Sequence, residues 1–178
     1  QSAAQDLRDG IDNIFNDPNV GPFISRQLIQ HLVTSNPSPA YVARVSSVFN
    51  GDLGSARGDL KAVVRAILLD PEARGDLKTD PNYGHLKHPA LFITNLLRAF
   101  HARSADGTGL SDGYLNPQAV NMGMDLFRPP SVFSYFSPAA GVPGAAGVRG
   151  PEFGLLSTAT VLRRANFVNT MVFGTIAV

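Results

Sequence analysis

The chain contains no cysteine. That excludes disulfides, thiol nucleophiles and cysteine-ligated metals, and it is compatible with any compartment. Glutamate is nearly absent: Glu72 and Glu152 stand against 12 aspartates. Paired carboxylates for acid–base work are therefore poorly represented, and the aspartates concentrate at caps and turns. No apolar run of about 18 residues occurs, so no transmembrane helix is expected. No signal-peptide pattern is visible either. Charge is balanced, with a formal net charge of +1, which argues against nucleic-acid binding by bulk electrostatics. No serine sits in a G-x-S-x-G elbow or an S-x-x-K arrangement. There is no G-x-G-x-x-G and no P-loop.

What is present is helical patterning. The 178 residues suffice for one domain with a real core, and 44% of them are hydrophobic, an ordinary globular fraction. The best-patterned stretch is Gly21 to Asp70. Pro22 suits the first turn of a helix, and Phe23, Ile24, Leu28, Leu32 and Val33 fall largely on one face. Pro37 ends that helix by Ser35. Ser38-Pro39 forms a cap followed by proline at the first helical position. Tyr41, Val42, Val45, Val48 and Phe49 form the next stripe, closed by Asn50-Gly51. Asp59 caps a third helix, whose stripe is Leu60, Val63, Val64, Ile67 and Leu68. Asp70-Pro71 ends it.

The rest of the chain is less regular. Residues 2–16 carry a modest helix pattern through Ala4, Leu7, Ile11, Ile14 and Phe15. If that face is buried, it packs on the Pro22 helix. Pro71 to Pro89 is a polar connection rich in turn formers. A helix follows from Pro89 to about Arg103, then a flexible loop from Ser104 to Gly113 and a short helix begun by Asn116-Pro117. The first 103 residues hold 21 charged side chains and the last 75 hold 8. Residues 127–150 have no periodicity. Pro129-Pro130 suggests extended backbone, and Ala139-Ala140-Gly141-Val142 recurs as Ala145-Ala146-Gly147-Val148, a low-complexity loop. A last helix is predicted from Glu152 to about Val172. Its buried face is Leu155, Leu156, Ala159, Leu162, Phe167 and Met171, with Arg163 and Arg164 nearer the surface. Thr170 to Val178 is β-branched enough to be extended instead.

DPNVGPFISRQLIQHLVTSNPSPAYVARVSSVF (Asp17 to Phe49), RGDLKAVVRAILLDPEAR (Arg57 to Arg74), Lys87-His88-Pro89, MGMDLFRPPSVFSYFSP (Met122 to Pro138) and PEFGLLSTATVLRRANFV (Pro151 to Val168) occur in this order. Together they resemble the DUF1800 family, bacterial proteins of unknown function. The resemblance covers most of the chain and concerns the C-terminal part of the usually much longer family members. It implies a fragment of a longer protein whose upstream chemistry is not in view, and it favours export to the periplasm or beyond over a cytoplasmic place. The opening Gln1 and the apolar end Thr175 to Val178 fit a processed or cut chain. Deliberate trimming is the alternative.

The expected fold is all-α: about six or seven helices in one irregular bundle over residues 1–178. Residues 1–103 form a regular scaffold. Residues 104–178 are loop-rich, with a long ordered loop near 127–150, and end in a long helix. His85 and His88 are weak metal candidates, with Asp80 the nearest third ligand; the plainer reading is a loop histidine and a capping histidine. His31 and His101 read as half-buried polar residues. A helix-turn-helix around Asn36-Pro37 is disfavoured, because the turn is long and Pro39 to Asn50 carries one basic residue, Arg44. The most unusual chemistry lies at Arg128, Phe133, Tyr135 and Phe136. These residues could contact a ligand or partner. Alternatively the rings plug the core, with Arg128 capping helix carbonyls.

The leading functional expectation is a structural or interaction domain without a cofactor, docking on a missing part of its own chain or on a protein partner. The runner-up is a hydrolase-like enzyme completed by upstream residues, with Arg128, His85, His88 or Tyr135 converging in a pocket. A metal or small-ligand binding module is the third.

Overall fold

The computed structural model describes residues 2–75, 80–104, 107 and 113–174. Among them there are helices, turns and two isolated β-bridges but no strand, so the fold is all-α as the periodicities predict. The chain divides into two compact units, residues 1–85 and residues 86–178. Residues 175–178 and most of the loop between 104 and 113 lie outside the described residues, as do the expectations made for them.

The first unit holds α1 (Ala3–Phe15), α2 (Val20–Leu32), α3 (Pro39–Asn50), α4 (Leu60–Leu69) and the single turn α5 (Pro71–Arg74). Its core is Ile29 from α2, Tyr41, Val42, Val45 and Phe49 from α3, and Val63 and Ile67 from α4. The caps fall where the residue types place them. Ser38 Oγ accepts from the Tyr41 amide at 3.1 Å, and Asp59 Oδ1 accepts from the Ala62 amide at 3.0 Å. Gly51 ends α3 at φ 86°, where an added Cβ would stand 2.7 Å from the Ser55 carbonyl oxygen.

The helix α1 forms over the predicted residues, but its apolar face is not buried. None of its residues is buried, and Leu7, Ile11 and Ile14 are exposed. Its last residue, Phe15, is tied down. The Arg57 guanidinium lies 5.4 Å from the ring centroids of both Phe15 and Phe49. Its Nη2 donates to the Phe15 carbonyl at 2.9 Å and its Nη1 to Asn50 Oδ1 at 2.6 Å. The anchor is therefore a loop arginine, not the apolar stripe of α1.

The α4–α5 corner is held by ions as well as by packing. Arg44 on α3 grips Asp70 side-on, Nε to Oδ2 at 2.7 Å and Nη2 to Oδ1 at 2.8 Å. Asp70 Oδ1 also accepts from the Glu72 amide at 2.8 Å, starting α5. Glu72 returns to α3, accepting from the Ser38 amide at 2.9 Å and from Ser38 Oγ at 2.5 Å. Burial alone would raise the Asp70 carboxyl, but the hydrogen bonds from Arg44 and from the Glu72 amide outweigh it and hold the group below its usual value of 3.8. A carboxyl depressed in the folded state contributes stability above its unfolded value, and that contribution is lost as pH falls through the folded value. Urea unfolding is therefore expected to show the first unit weakening as pH drops below 3.8. Asp70→Asn should flatten that dependence and cost stability at neutral pH.

The turn before the second unit docks through Gly84. The buried Thr34 hydroxyl accepts from the Gly84 amide at 3.0 Å, and the Ser35 amide donates to the Gly84 carbonyl at 2.9 Å.

The second unit holds α6 (Pro89–Ala99), α7 (Leu115–Asn121), a 3-10 turn at Pro151–Leu155 and α8 (Thr158–Phe173). Ile93, Ala119, Met122 and Phe167 form its core. The last helix begins later than the sequence pattern predicts. Pro151 opens the 3-10 turn, Leu156 is extended, and Ser157 and Thr160 form a capping box. Its phase differs too. Leu162 is exposed, whereas Arg164 and Phe167 are buried. The buried face runs through Thr160, Arg164, Phe167 and Met171, and an arginine at one of its central positions hides it from a hydrophobic count.

Candidate functional site

The segment after α7 is built by one hydroxyl. Gly123 turns the chain at φ 95°, and Met124 is buried beneath it. The Tyr135 hydroxyl donates to the Asp125 carbonyl and accepts from the Arg128 amide at 3.2 Å. The Arg128 amide also donates to the Asp125 carbonyl at 3.0 Å. A single phenol thus closes residues 125–135 into a compact loop whose ends are fixed by their own backbone groups. Within it, Ser131 to Ser134 forms a tight turn. The Ser134 amide donates to the Ser131 carbonyl at 3.1 Å, and Ser131 Oγ accepts from the Phe133 amide at 3.1 Å.

This frame lifts its apolar side chains into solvent. Phe127 is 97% exposed, Val132 95% and Phe133 69%. Phe127 and Ser134 take φ of 63° and 69°, left-handed values that cost non-glycine residues roughly 1 kcal/mol or more each. The loop thus spends conformational energy at the residues that flank and present its apolar tip.

The residues singled out in the sequence differ in burial. Phe127 and Phe133 do not plug the core. Tyr135 and Phe136 are half-buried, and Phe136 packs against the 3-10 turn, where a Cβ on Gly154 would meet Phe136 Cβ at 3.2 Å. The Arg128 side chain is exposed. Its recorded hydrogen bonds come from its amide, not from a guanidinium capping helix carbonyls. Backbone-directed bonds from a tyrosine hydroxyl leave no spacing signature, so the tip was not distinguishable from the base.

The second half of the irregular stretch forms its own closed turn. The two Ala-Ala-Gly-Val copies face one another, with the Val142 amide donating to the Val148 carbonyl at 2.9 Å and the Gly150 amide to the Ala140 carbonyl at 2.9 Å. Arg149 Nη1 donates to the Ala139 carbonyl across the same turn. The repeat is a folded-back loop with an isolated bridge between Gly141 and Arg149.

Of the remaining candidates, His88 has a local partner. His88 Nδ1 accepts from the Leu91 amide at 3.4 Å and caps α6. His85 is half-buried at the end of the first unit. Among the described residues no group of three histidine, aspartate or glutamate side chains is placed to hold a metal ion. A shallow concavity of about 220 Å³ between α7 and α8 is lined by Tyr114, Gln118, Asn121, Arg163, Asn166 and Thr170 over Phe167. Neither Arg128 nor Tyr135 reaches it. No described helix is long and apolar enough to cross a membrane.

No curated protein and no solved structure matches the chain. A family model described as protein of unknown function, DUF1800, matches residues 1–174. With all but the last four residues inside that match, the chain belongs to the DUF1800 family.

Proposed function

We propose that this chain is an interaction domain, and that the loop from Asp125 to Phe136 is the part that meets a protein partner. One observation carries this reading: three large apolar side chains, Phe127, Val132 and Phe133, stand in solvent on a loop closed by its own hydrogen bonds. A loop that only filled space would turn its rings inward. Burying a valine or phenylalanine side chain contributes roughly 1.5–3 kcal/mol. Three of them together offer a gross gain approaching that of a micromolar complex, before the costs of association are subtracted. The tip therefore acts as the anchor of a wider interface. Arg128 beside it supplies a rim cation.

No comparable observation favours the hydrolase-like reading. The Tyr135 hydroxyl closes its loop and the His88 ring caps a helix.

A photo-crosslinking residue at position 133, placed in the protein as its cells make it, tests the proposal. It is expected to label one protein repeatedly, whereas the same residue at exposed Ala159 labels none. The triple variant Phe127→Ser, Val132→Ser, Phe133→Ser should lose that partner with stability unchanged to within about 0.5 kcal/mol. Equal labelling from both positions, or retention of the partner by the triple variant, would count against the loop.

A further inference from the structure

The concavity between α7 and α8 has walls that follow from helix spacing. Tyr114, Gln118 and Asn121 recur at one-turn intervals at the start of α7 and along it, and Arg163, Asn166 and Thr170 do the same along α8. Residues three and four apart share a helix face, so each trio forms one wall. Between them lies Phe167, buried in the core of the second unit with Ala119 and Met122. Tyr114 packs against the same core. The floor and both walls are therefore held by the packing that makes the unit.

The lining is chemically one-sided. It holds three carboxamides, a phenol, a threonine hydroxyl and a guanidinium, and no carboxylate. Among the described residues, the side chains of Gln118, Asn121, Asn166 and Thr170 spend no donor or acceptor on the protein. Arg163 is exposed at the rim, and no described carboxylate lies within ion-pair distance of it. A carboxamide presents an acceptor beside two donors, which suits neighbouring hydroxyls, each of them donor and acceptor at once. A guanidinium presents a planar fork that suits a carboxylate. The volume of about 220 Å³ lies below the roughly 300–1,000 Å³ of drug-sized pockets, enough for one ring and not for a chain of them.

We infer that the α7–α8 concavity binds a single hexuronic acid ring, with Gln118, Asn121 and Asn166 taking its hydroxyls and Arg163 its carboxylate. A neutral hexose leaves the guanidinium unmatched, and a simple carboxylate leaves the carboxamides unmatched. A ring that carries both groups uses the whole lining. Every bond replaces one to water, so a dissociation constant on the order of 1–10 mM is expected. The site is independent of the aromatic loop and does not rest on the interaction reading.

The test titrates the whole ¹⁵N-labelled chain with sodium glucuronate, sodium galacturonate, glucose and sodium acetate at matched ionic strength. The side-chain amide resonances of Gln118, Asn121 and Asn166 are followed by NMR. At least one uronate should shift all three saturably with a single dissociation constant. Glucose and acetate should each bind at least about tenfold more weakly. Arg163→Gln should erase the advantage of the uronate over glucose. Asn166→Ala should weaken both sugars roughly fivefold, and Asn169→Ala, exposed on α8 but outside the lining, should leave them unchanged. All three substitutions are at exposed positions, where the fold is expected to tolerate them. Four results overturn the site: neither uronate saturating by about 100 mM, acetate matching the uronates, glucose matching them, or equal loss in the Asn166 and Asn169 variants.

Discussion

Replacing Tyr41 with alanine is expected to destabilise the first unit by about 3–5 kcal/mol, a large part of the total stability of an ordinary domain. Tyr41 is fully buried, at the centre of the cluster that joins α2, α3 and α4. Its hydroxyl donates to the Ile67 carbonyl at 2.7 Å, near the end of α4, and the Arg44 guanidinium stands 5.8 Å from its ring centroid. Alanine removes the ring, the hydrogen bond and the surface on which Arg44 rests. Burial, together with the negative charge of Asp70, pushes the phenol well above its ordinary range, so the hydroxyl remains a donor at any ordinary pH. Tyr41→Phe separates the terms. It keeps the packing and withdraws only the donor, for about 1 kcal/mol. Urea unfolding of both variants measures the difference. If the alanine variant loses no more than the phenylalanine one, the ring is not the keystone of this unit.

The second large effect is expected at Phe167. Removing it takes one of four buried hydrophobics from the core of the second unit and the partner of Phe92, whose ring centroid lies 6.3 Å away. The loss should be about 3–5 kcal/mol, seen as weakened hydrogen-exchange protection of the α6, α7 and α8 amides. Leu162→Ala is the control, expected within about 0.5 kcal/mol of wild type because that side chain faces solvent. The pair discriminates the observed phase of α8 from the one its apolar residues suggest. Were Leu162→Ala the costlier change, the phase described above would be wrong.

The legible and illegible parts of this fold divide on physical grounds. The helix α3 was readable because local chemistry and burial agree there, whereas in α2 Phe23 and Leu32 of the expected stripe are exposed and Ile29, outside it, is the core residue, and in α4 Leu60 and Leu68 are exposed while Val63 and Ile67 are buried. Proline and serine start α3, Gly51 ends it, and its stripe is the core. The end of α6 was less so. The Pro89 helix stops at Ala99, not Arg103, because the Ala102 amide turns back to the Leu97 carbonyl at 2.9 Å with His101 left-handed at φ 50°. Glycine usually marks such a cap, and histidine gives no warning. Arg164 was placed at the surface because arginine usually is, and only the packed helix reveals it inside. At the loop, composition singled out Arg128, Phe133, Tyr135 and Phe136 as unusual. It could not separate Tyr135, which shapes the loop, from Phe133, which the loop displays. That division depends on where one hydroxyl lands on the backbone seven and ten residues away.

The same hydroxyl makes the loop modular. Its shape is set by the phenol, by backbone groups and by a serine turn, none of which involves the side chains of Phe127, Val132 or Phe133. The displayed residues can therefore change while the scaffold beneath them keeps its geometry. Selection could retune recognition here one side chain at a time without passing through unfolded intermediates, and an engineer could use the same three positions to write a new specificity onto an unaltered chain.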